Sequence, residues 1–209
     1  EKFCKSNKIS LIFCKSPMFM VSRSDYQNIV TSKKPQLANF YSNVRKKFGI
    51  FVKDNKPIGD KWSFDEENRK RVPKNYESPA SLFFESKYFY EIERIINKFF
   101  SNHFGDLKKN IIFPMNFKDS NKVLEMFISQ KLENFGHYED FISTQDPYIN
   151  HSLISAPLNM GLLTPKDILD KLKSITYTKV GINNYEGFIR QVFGWREFMR
   201  YLNIHYYKD

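Results

Sequence analysis

Residues 186–202 read EGFIRQVFGWREFMRYL, and the interpretation of the whole chain turns on this stretch. Phe188, Val192, Trp195, Met199 and Leu202 are spaced by four, three, four and three residues, which draws one apolar stripe along an α-helix. Arg190, Arg196 and Arg200 flank the stripe, and Arg196 and Arg200 fall one turn apart on the same face. Two physical readings follow. Trp195 is a core residue with solvated arginines beside it, or its ring stacks on a base while the arginines hold phosphates.

Upstream the pattern stays helical as far back as residue 82. The periodicity predicts a last helix from about Asn184 to the end of the chain. Thr164-Pro165 supplies an N-cap followed by an N1 proline, opening a helix through about Leu172. Asp119-Ser120 opens another through Phe135, with Val123, Leu124, Phe127, Ile128 and Leu132 at helical spacing and Gly136 as its C′ residue. Residues 82–103 carry Phe84, Tyr88, Tyr90, Ile92, Ile95, Ile96 and Phe99, a density that predicts a buried helix.

The first third differs in character. Residues 8–15 (KISLIFCK) form a continuous apolar run stopped by Ser16-Pro17, as expected of a strand buried on both faces in a parallel sheet. Ser24-Asp25 offers an N-cap to a helix through about Ser32. A second helix runs from Pro35 through Lys47, with Leu37, Phe40, Tyr41 and Val44 on one face and Gly49 ending it; residues 50–52 add a short strand. Residues 53–73 are polar, without sustained period, and read as a long structured loop anchored by Trp62 and Phe64. The turn-like stretch 73–79 marks a domain boundary.

Composition narrows the class. A formal net charge of +10 suits a polyanionic partner, although a Lys-, Asn- and Ile-rich composition also arises without one. Only Cys4 and Cys14 are present, which excludes a disulfide framework and leaves a reduced intracellular setting as the default. No apolar run reaches the ~20 residues of a membrane span. His103, His137, His151 and His205 form no metal or triad pattern, and Asp65, Glu66 and Glu67 are read as loop carboxylates paired with Arg69, Lys70 and Arg71. Both termini look cut rather than finished.

Several segments carry a resemblance. Gly194-Trp195-Arg196-Glu197-Phe198 is similar to the Trp-Arg-Glu-Phe core of the photolyase/cryptochrome family, and residues 187–197 (GFIRQVFGWRE) resemble its iron–sulfur bacterial branch, which includes (6-4) photolyases. Phe113-Pro114-Met115-Asn116 with Phe127, Leu132, Phe135 and the run Gly136–Asp140 resembles that branch's entry into the FAD-binding domain. Residues 59–70 are similar to its inter-domain loop, and Ser16-Pro17-Met18-Phe19 to the segment after a late antenna-domain strand. His151-Ser152-Leu153-Ile154-Ser155-Ala156-Pro157-Leu158 resembles the family's Thr-Ser-x-Leu-Ser-Pro-x-Leu motif, with His151 in place of Thr and Ala156 in place of Pro. Relative to other branches, one extra residue lies between Gln191 and Trp195.

The resemblance implies an α/β remnant over residues 1–73, the end of a Rossmann-like antenna domain plus the loop. A mainly α-helical FAD-binding domain then spans 74–209, both incomplete. It implies His151, Ser152, Ser155, Leu158, Glu186, Arg190, Gln191 and Arg196 as FAD-binding residues, and Trp195, Arg196 and Arg200 as DNA-facing ones. No catalytic residue and no metal ligand is implied within the chain. FAD is the implied cofactor, with an iron–sulfur cluster and a lumazine-type antenna in the full-length parent. The implied activity is light-driven electron transfer from reduced FAD to a UV-induced pyrimidine photoproduct in damaged DNA, the (6-4) lesion before the cyclobutane dimer. The chain alone is expected to be inactive. A cryptochrome-type blue-light receptor, or a basic helical nucleic-acid-binding module without cofactor, are the alternatives. A cytoplasmic, nucleoid-associated monomer without membrane contact is expected.

Overall fold

A computed structural model describes residues 1–207 and is mainly helical. The helices are α1 (Lys2–Ser6), α2 (Tyr26–Ile29), α3 (Leu37–Phe48), α4 (Phe89–Phe99), α5 (Phe117–Met126), α6 (Leu132–Tyr138), α7 (Ser155–Met160), α8 (Pro165–Lys173), α9 (Tyr177–Val180), α10 (Ile182–Ile189) and α11 (Arg196–Tyr206). The strands are two-residue pieces in antiparallel pairs. β1 (Val52–Lys53) pairs with β2 (Lys56–Pro57), Val52 opposite Pro57, and β3 (Phe84–Glu85) pairs with β4 (Asn110–Ile111), Phe84 opposite Ile111. No described helix is long and apolar enough to cross a membrane.

The strand expected over residues 8–15 does not form. That run is irregular and exposed, with Phe13 at 74%. A strand buried on both faces exists only between partner strands, and none lies beside it among the described residues. The helix expected to be buried within residues 82–103 is shorter and also exposed. α4 buries none of its residues, and Tyr88, Tyr90 and Phe99 face solvent. Apolar density alone does not place a helix inside; another apolar surface must cover it.

Elsewhere the local signals and the fold agree. α3 buries Phe40, Tyr41 and Val44, and Gly49 closes it at φ 63°, a left-handed conformation that suits glycine. Thr164 caps α8 and exchanges hydrogen bonds with Asp167, with Pro165 at the first helical position. Phe64 anchors the 53–73 loop at the core edge. Val21, Tyr26 and Phe40 from the first quarter of the chain share one apolar core with Phe127, Leu169, Phe188, Phe198 and Tyr201.

Several α-helical boundaries moved, and the helix expected through about Ser32 already ends at Ile29. Asn116, not Asp119, caps α5 by accepting from the Asp119 N–H at 2.9 Å. Gly136 is not a C′ residue but lies inside α6. A Cβ there would meet Asn183 O and Asn184 Cα at 2.9 Å each. Gly187 of α10 faces it, where a Cβ would stand 3.6 Å from Gly136 Cα. The two glycines let α6 and α10 cross backbone to backbone.

The apolar stripe of residues 188–202 breaks in the middle. α10 and α11 are joined by a π-helical turn, Arg190–Trp195, which inserts one residue into the helical count. Phe188 and Val192 are buried before it; after it the inward positions are Glu197, Phe198 and Tyr201. Trp195 and Met199, expected on the stripe, are rotated outward to 43% and 55% exposure.

Candidate functional site

The serine turn forms first. Between the end of α6 and the start of α7 the chain bends through Ile149 (φ 31°) and Leu153 (φ 57°), both left-handed without being glycine. Such conformations cost of order 1–3 kcal/mol and persist only where surrounding structure enforces them. Ile154 and Leu158 are buried and anchor the turn from behind, and Gly161 ends α7 at φ 73°. The His151 ring nitrogen Nε2 lies 3.2 Å from the Glu139 carbonyl, so it carries the proton and donates.

In front of this turn lies a cavity of about 520 Å³. It brings together His151, Ser152, Ser155, Leu158, Gln191 and Arg196, six of the eight residues singled out as cofactor-binding. Leu153, Asn159, Asp140 and Glu139 also line it; the sequence reading did not place these four at a site. The volume lies within the range of small-molecule sites. The donor set is serine hydroxyls, a carboxamide and a guanidinium, a chemistry that fits a phosphate-bearing ligand.

Glu186 and Arg190 stand behind this cavity, not on it. Glu186 is fully buried and accepts from the Tyr41 hydroxyl and the Phe64 N–H, each at 2.9 Å. Arg190 pairs with Glu139 at 2.7 Å, Asp65 at 3.0 Å and Glu186 at 3.5 Å. Glu139 in turn accepts from Gln191 at 3.1 Å. Burial pushes the Glu186 carboxyl above the usual carboxylate range, against the Phe64 N–H and Arg190. Burial works against the charge on Arg190, but Glu139 and Glu186 outweigh it and raise its pKa. The network ties the 53–73 loop, α3, α6 and α10 into one frame. Replacing Arg190 would leave the buried Glu186 and Glu139 carboxylates without their cation.

Trp195 and Arg200 diverge from each other. Trp195 borders a second cavity of about 510 Å³ with Tyr41, Asp65, Arg69 and Arg190, which shares Glu139, Asp140 and Gln191 with the first. Arg196 and Arg200 turn toward Phe19, their guanidinium carbons 4.0 and 4.4 Å from its ring centroid. Arg196 donates to the Met18 carbonyl and Arg200 to the Val21 carbonyl, each at 2.6 Å. Between them Glu197 is buried and accepts from Met20 N–H at 2.7 Å and Val21 N–H at 3.3 Å. Burial raises the Glu197 pKa and lowers that of Arg196. The expected one-turn spacing of the two arginines therefore holds, and it grips the 18–21 segment. Sequence reasoning missed Glu197 as a structural carboxylate because its neighbours suggested only a motif.

A family model described as deoxyribodipyrimidine photo-lyase-related protein matches residues 1–111. A (6-4) photolyase of Agrobacterium fabrum is 34% identical over 186 residues, covering 87% of this chain and 36% of the relative. Two uncharacterised proteins of Acanthamoeba polyphaga mimivirus are 45% and 38% identical, each over 34% of the chain. The chain thus spans little more than a third of the photolyase it matches. The match to more than half of its residues shows that the chain belongs to the deoxyribodipyrimidine photo-lyase-related family.

Proposed function

We propose that this chain is part of a light-driven, FAD-dependent DNA photolyase acting on UV-induced pyrimidine photoproducts, the (6-4) lesion in preference to the cyclobutane dimer. The observation that carries the reading is the cavity in which Ser152 and Ser155 from one segment of the chain converge with Gln191 and Arg196 from another. The Agrobacterium fabrum relative supports the choice of lesion. In this reading residues 1–73 belong to an antenna domain and 74–209 to a FAD-binding domain. The iron–sulfur cluster and the lumazine-type antenna belong to parts of the parent outside the chain.

The chain's own residues have definable tasks. Ser152 and Ser155 would donate hydroxyl hydrogens to the phosphates of FAD, and Arg196 would add a charge-assisted hydrogen bond. Leu158 and Phe188 close the apolar side of the cavity. Gln191 is held by Glu139, which fixes its carboxamide before any ligand arrives. Glu186 and Arg190 position Gln191's helix from behind. When bound, reduced FAD supplies the light-driven electron that reorganises the lesion; the protein supplies placement and electrostatics.

The test is illumination of the complete gene product with DNA carrying defined lesions. Loss of the (6-4) product under blue light is expected. An unchanged lesion in a flavin-loaded protein would favour the cryptochrome-type receptor, and a protein that takes up no flavin while binding DNA would favour the cofactor-free module. In the flavin titration Ser152→Ala with Ser155→Ala should weaken FAD binding and leave riboflavin, which lacks phosphate, unaffected.

A further inference from the structure

The turn that carries Ser152 and Ser155 is left-handed at Ile149 and Leu153, which bracket Ser152 and both bear a Cβ. Strain of this kind persists only where the surroundings enforce it. The enforcing contacts come from residues 76–81, a stretch that does not line the cavity.

Three side chains of this stretch reach the turn or its supports. The Tyr76 hydroxyl lies 3.0 Å from Asn150 Oδ1 and 2.8 Å from its Nδ2. Asn150 is buried directly after Ile149, so no solvent replaces that partner. The Ser78 hydroxyl donates to one oxygen of Asp146, whose other oxygen accepts from the Tyr148 N–H at 2.9 Å. One carboxylate therefore ties Ser78 to the approach to Ile149. Ser81 accepts from the ammonium of Lys131 at 3.1 Å. Lys131 is buried, which lowers its pKa, and the Asp146 charge opposes that shift. The Tyr76 ring packs on Tyr138 of α6 with centroids 5.2 Å apart, next to Glu139, whose carbonyl holds His151. None of these bonds uses the hydroxyl of Ser152 or Ser155. Linkers between domains make few contacts, whereas this one is fastened at three points.

We propose that residues 76–81 are a strap that holds the serine turn in its strained form, with Tyr76, Ser78, Asp146 and Asn150 as positioning residues for the Ser152 and Ser155 hydroxyls. The proposal rests on the reading that the cavity takes a phosphate-bearing flavin, and adds what keeps the phosphate-binding turn in shape. A turn already in its binding geometry needs no reordering when the ligand arrives. If only a fraction of molecules hold that geometry, the apparent affinity falls by the same fraction. Releasing the strap lets Ile149 and Leu153 relax, and the two hydroxyls lose their common aim.

The test uses the complete gene product. Tyr76→Phe removes one hydroxyl and keeps the ring on Tyr138; Ser78→Ala removes a donor to Asp146, and Ser78→Thr keeps it. FAD and riboflavin affinities are read by flavin fluorescence, and amide hydrogen exchange is read on protein without flavin. Tyr76→Phe and Ser78→Ala should each weaken FAD binding about fivefold and leave riboflavin, which lacks phosphate, at the wild-type affinity. Both should speed exchange at the His151 N–H, which is bonded to the Tyr148 carbonyl at 2.8 Å, while α8 stays protected. Ser78→Thr should match wild type in all three readouts. A role confined to folding would lower the yield of folded protein with FAD affinity per folded molecule unchanged, or weaken both flavins together. Either result would overturn the proposal. If the wild type takes up no FAD, the flavin reading fails and exchange alone decides: faster exchange keeps the strap's hold on the turn, and unchanged exchange removes it.

Discussion

The Tyr41 hydroxyl donates to Glu186 Oε1 at 2.9 Å, joining α3 to α10 across 145 residues of chain. The phenol is almost wholly buried, and burial together with the Glu186 charge holds its pKa well above the ordinary tyrosine value. Its proton therefore stays in place throughout the accessible pH range. Tyr41→Phe removes one of the partners of a buried carboxylate and should destabilise the fold by about 1–3 kcal/mol. Urea unfolding measures this; a midpoint equal to wild type would mean that Glu186 is satisfied without Tyr41.

Glu197 holds the 18–21 segment by two backbone N–H groups. Glu197→Ala strands both donors and should cost about 3 kcal/mol, at the upper end for hydrogen bonds to a charged group. Hydrogen exchange should localise the change, with loss of protection at Met20 and Val21 while α8 stays protected.

Gly136→Ala places a methyl 2.9 Å from the backbone of Asn183 and Asn184, neither of which is a flexible side-chain end. α6 and α10 must separate, and a loss of about 1–3 kcal/mol is expected by chemical denaturation. Gly49→Ala is the control: its Cβ meets nothing within 4 Å, so only the left-handed backbone opposes it.

Acid sensitivity should trace in part to Asp25. Its carboxylate accepts from the Ser22 hydroxyl at 2.6 Å and N–H at 2.9 Å and pairs with Lys47 at 3.0 Å, which lowers its pKa from 3.8 to about 2. A lowered folded-state pKa means that the stabilisation is fully present above 3.8 and disappears as pH falls through about 2. Wild type should therefore exceed Asp25→Asn in stability by a constant margin above pH 4, and the two curves should converge below it. Unfolding midpoints taken across pH 2–6 check this; parallel curves throughout would exclude the linkage.

Trp195 tests the π-turn. At 43% exposure, its replacement by Ala should leave folding stability within about 1 kcal/mol. In the complete gene product the same change should weaken lesion-DNA binding by ~1–3 kcal/mol if the ring stacks on a base. A collapse in stability with unchanged DNA affinity per folded molecule would return Trp195 to the core.

Much of this was legible in the residues. Gly49 as a left-handed stop, Thr164-Pro165 as a cap and the Phe40–Tyr41–Val44 face are local chemistry, settled within a turn or two of helix. The serine turn was not local chemistry: Ser152 and Ser155 were carried over from the family motif they resemble, and the structure lines a cavity with them, Gln191 and Arg196. What local pattern could not decide was which apolar surfaces find a partner. Residues 8–15 and α4 have the composition of buried elements, yet burial depends on what lies opposite.

The stretch 186–202 shows the division most clearly. Its composition by itself determined a basic, amphipathic, aromatic helix, because helical spacing and charge are properties of the chain alone. Only the tertiary structure decided which face is which. The Arg190–Trp195 π-turn offsets the count by one residue, since Phe188 and Val192 must fill the core on one side while Phe198 and Tyr201 must fill it on the other. That offset sends Trp195 outward and Glu197 inward, and no periodicity in the residues alone could have separated them.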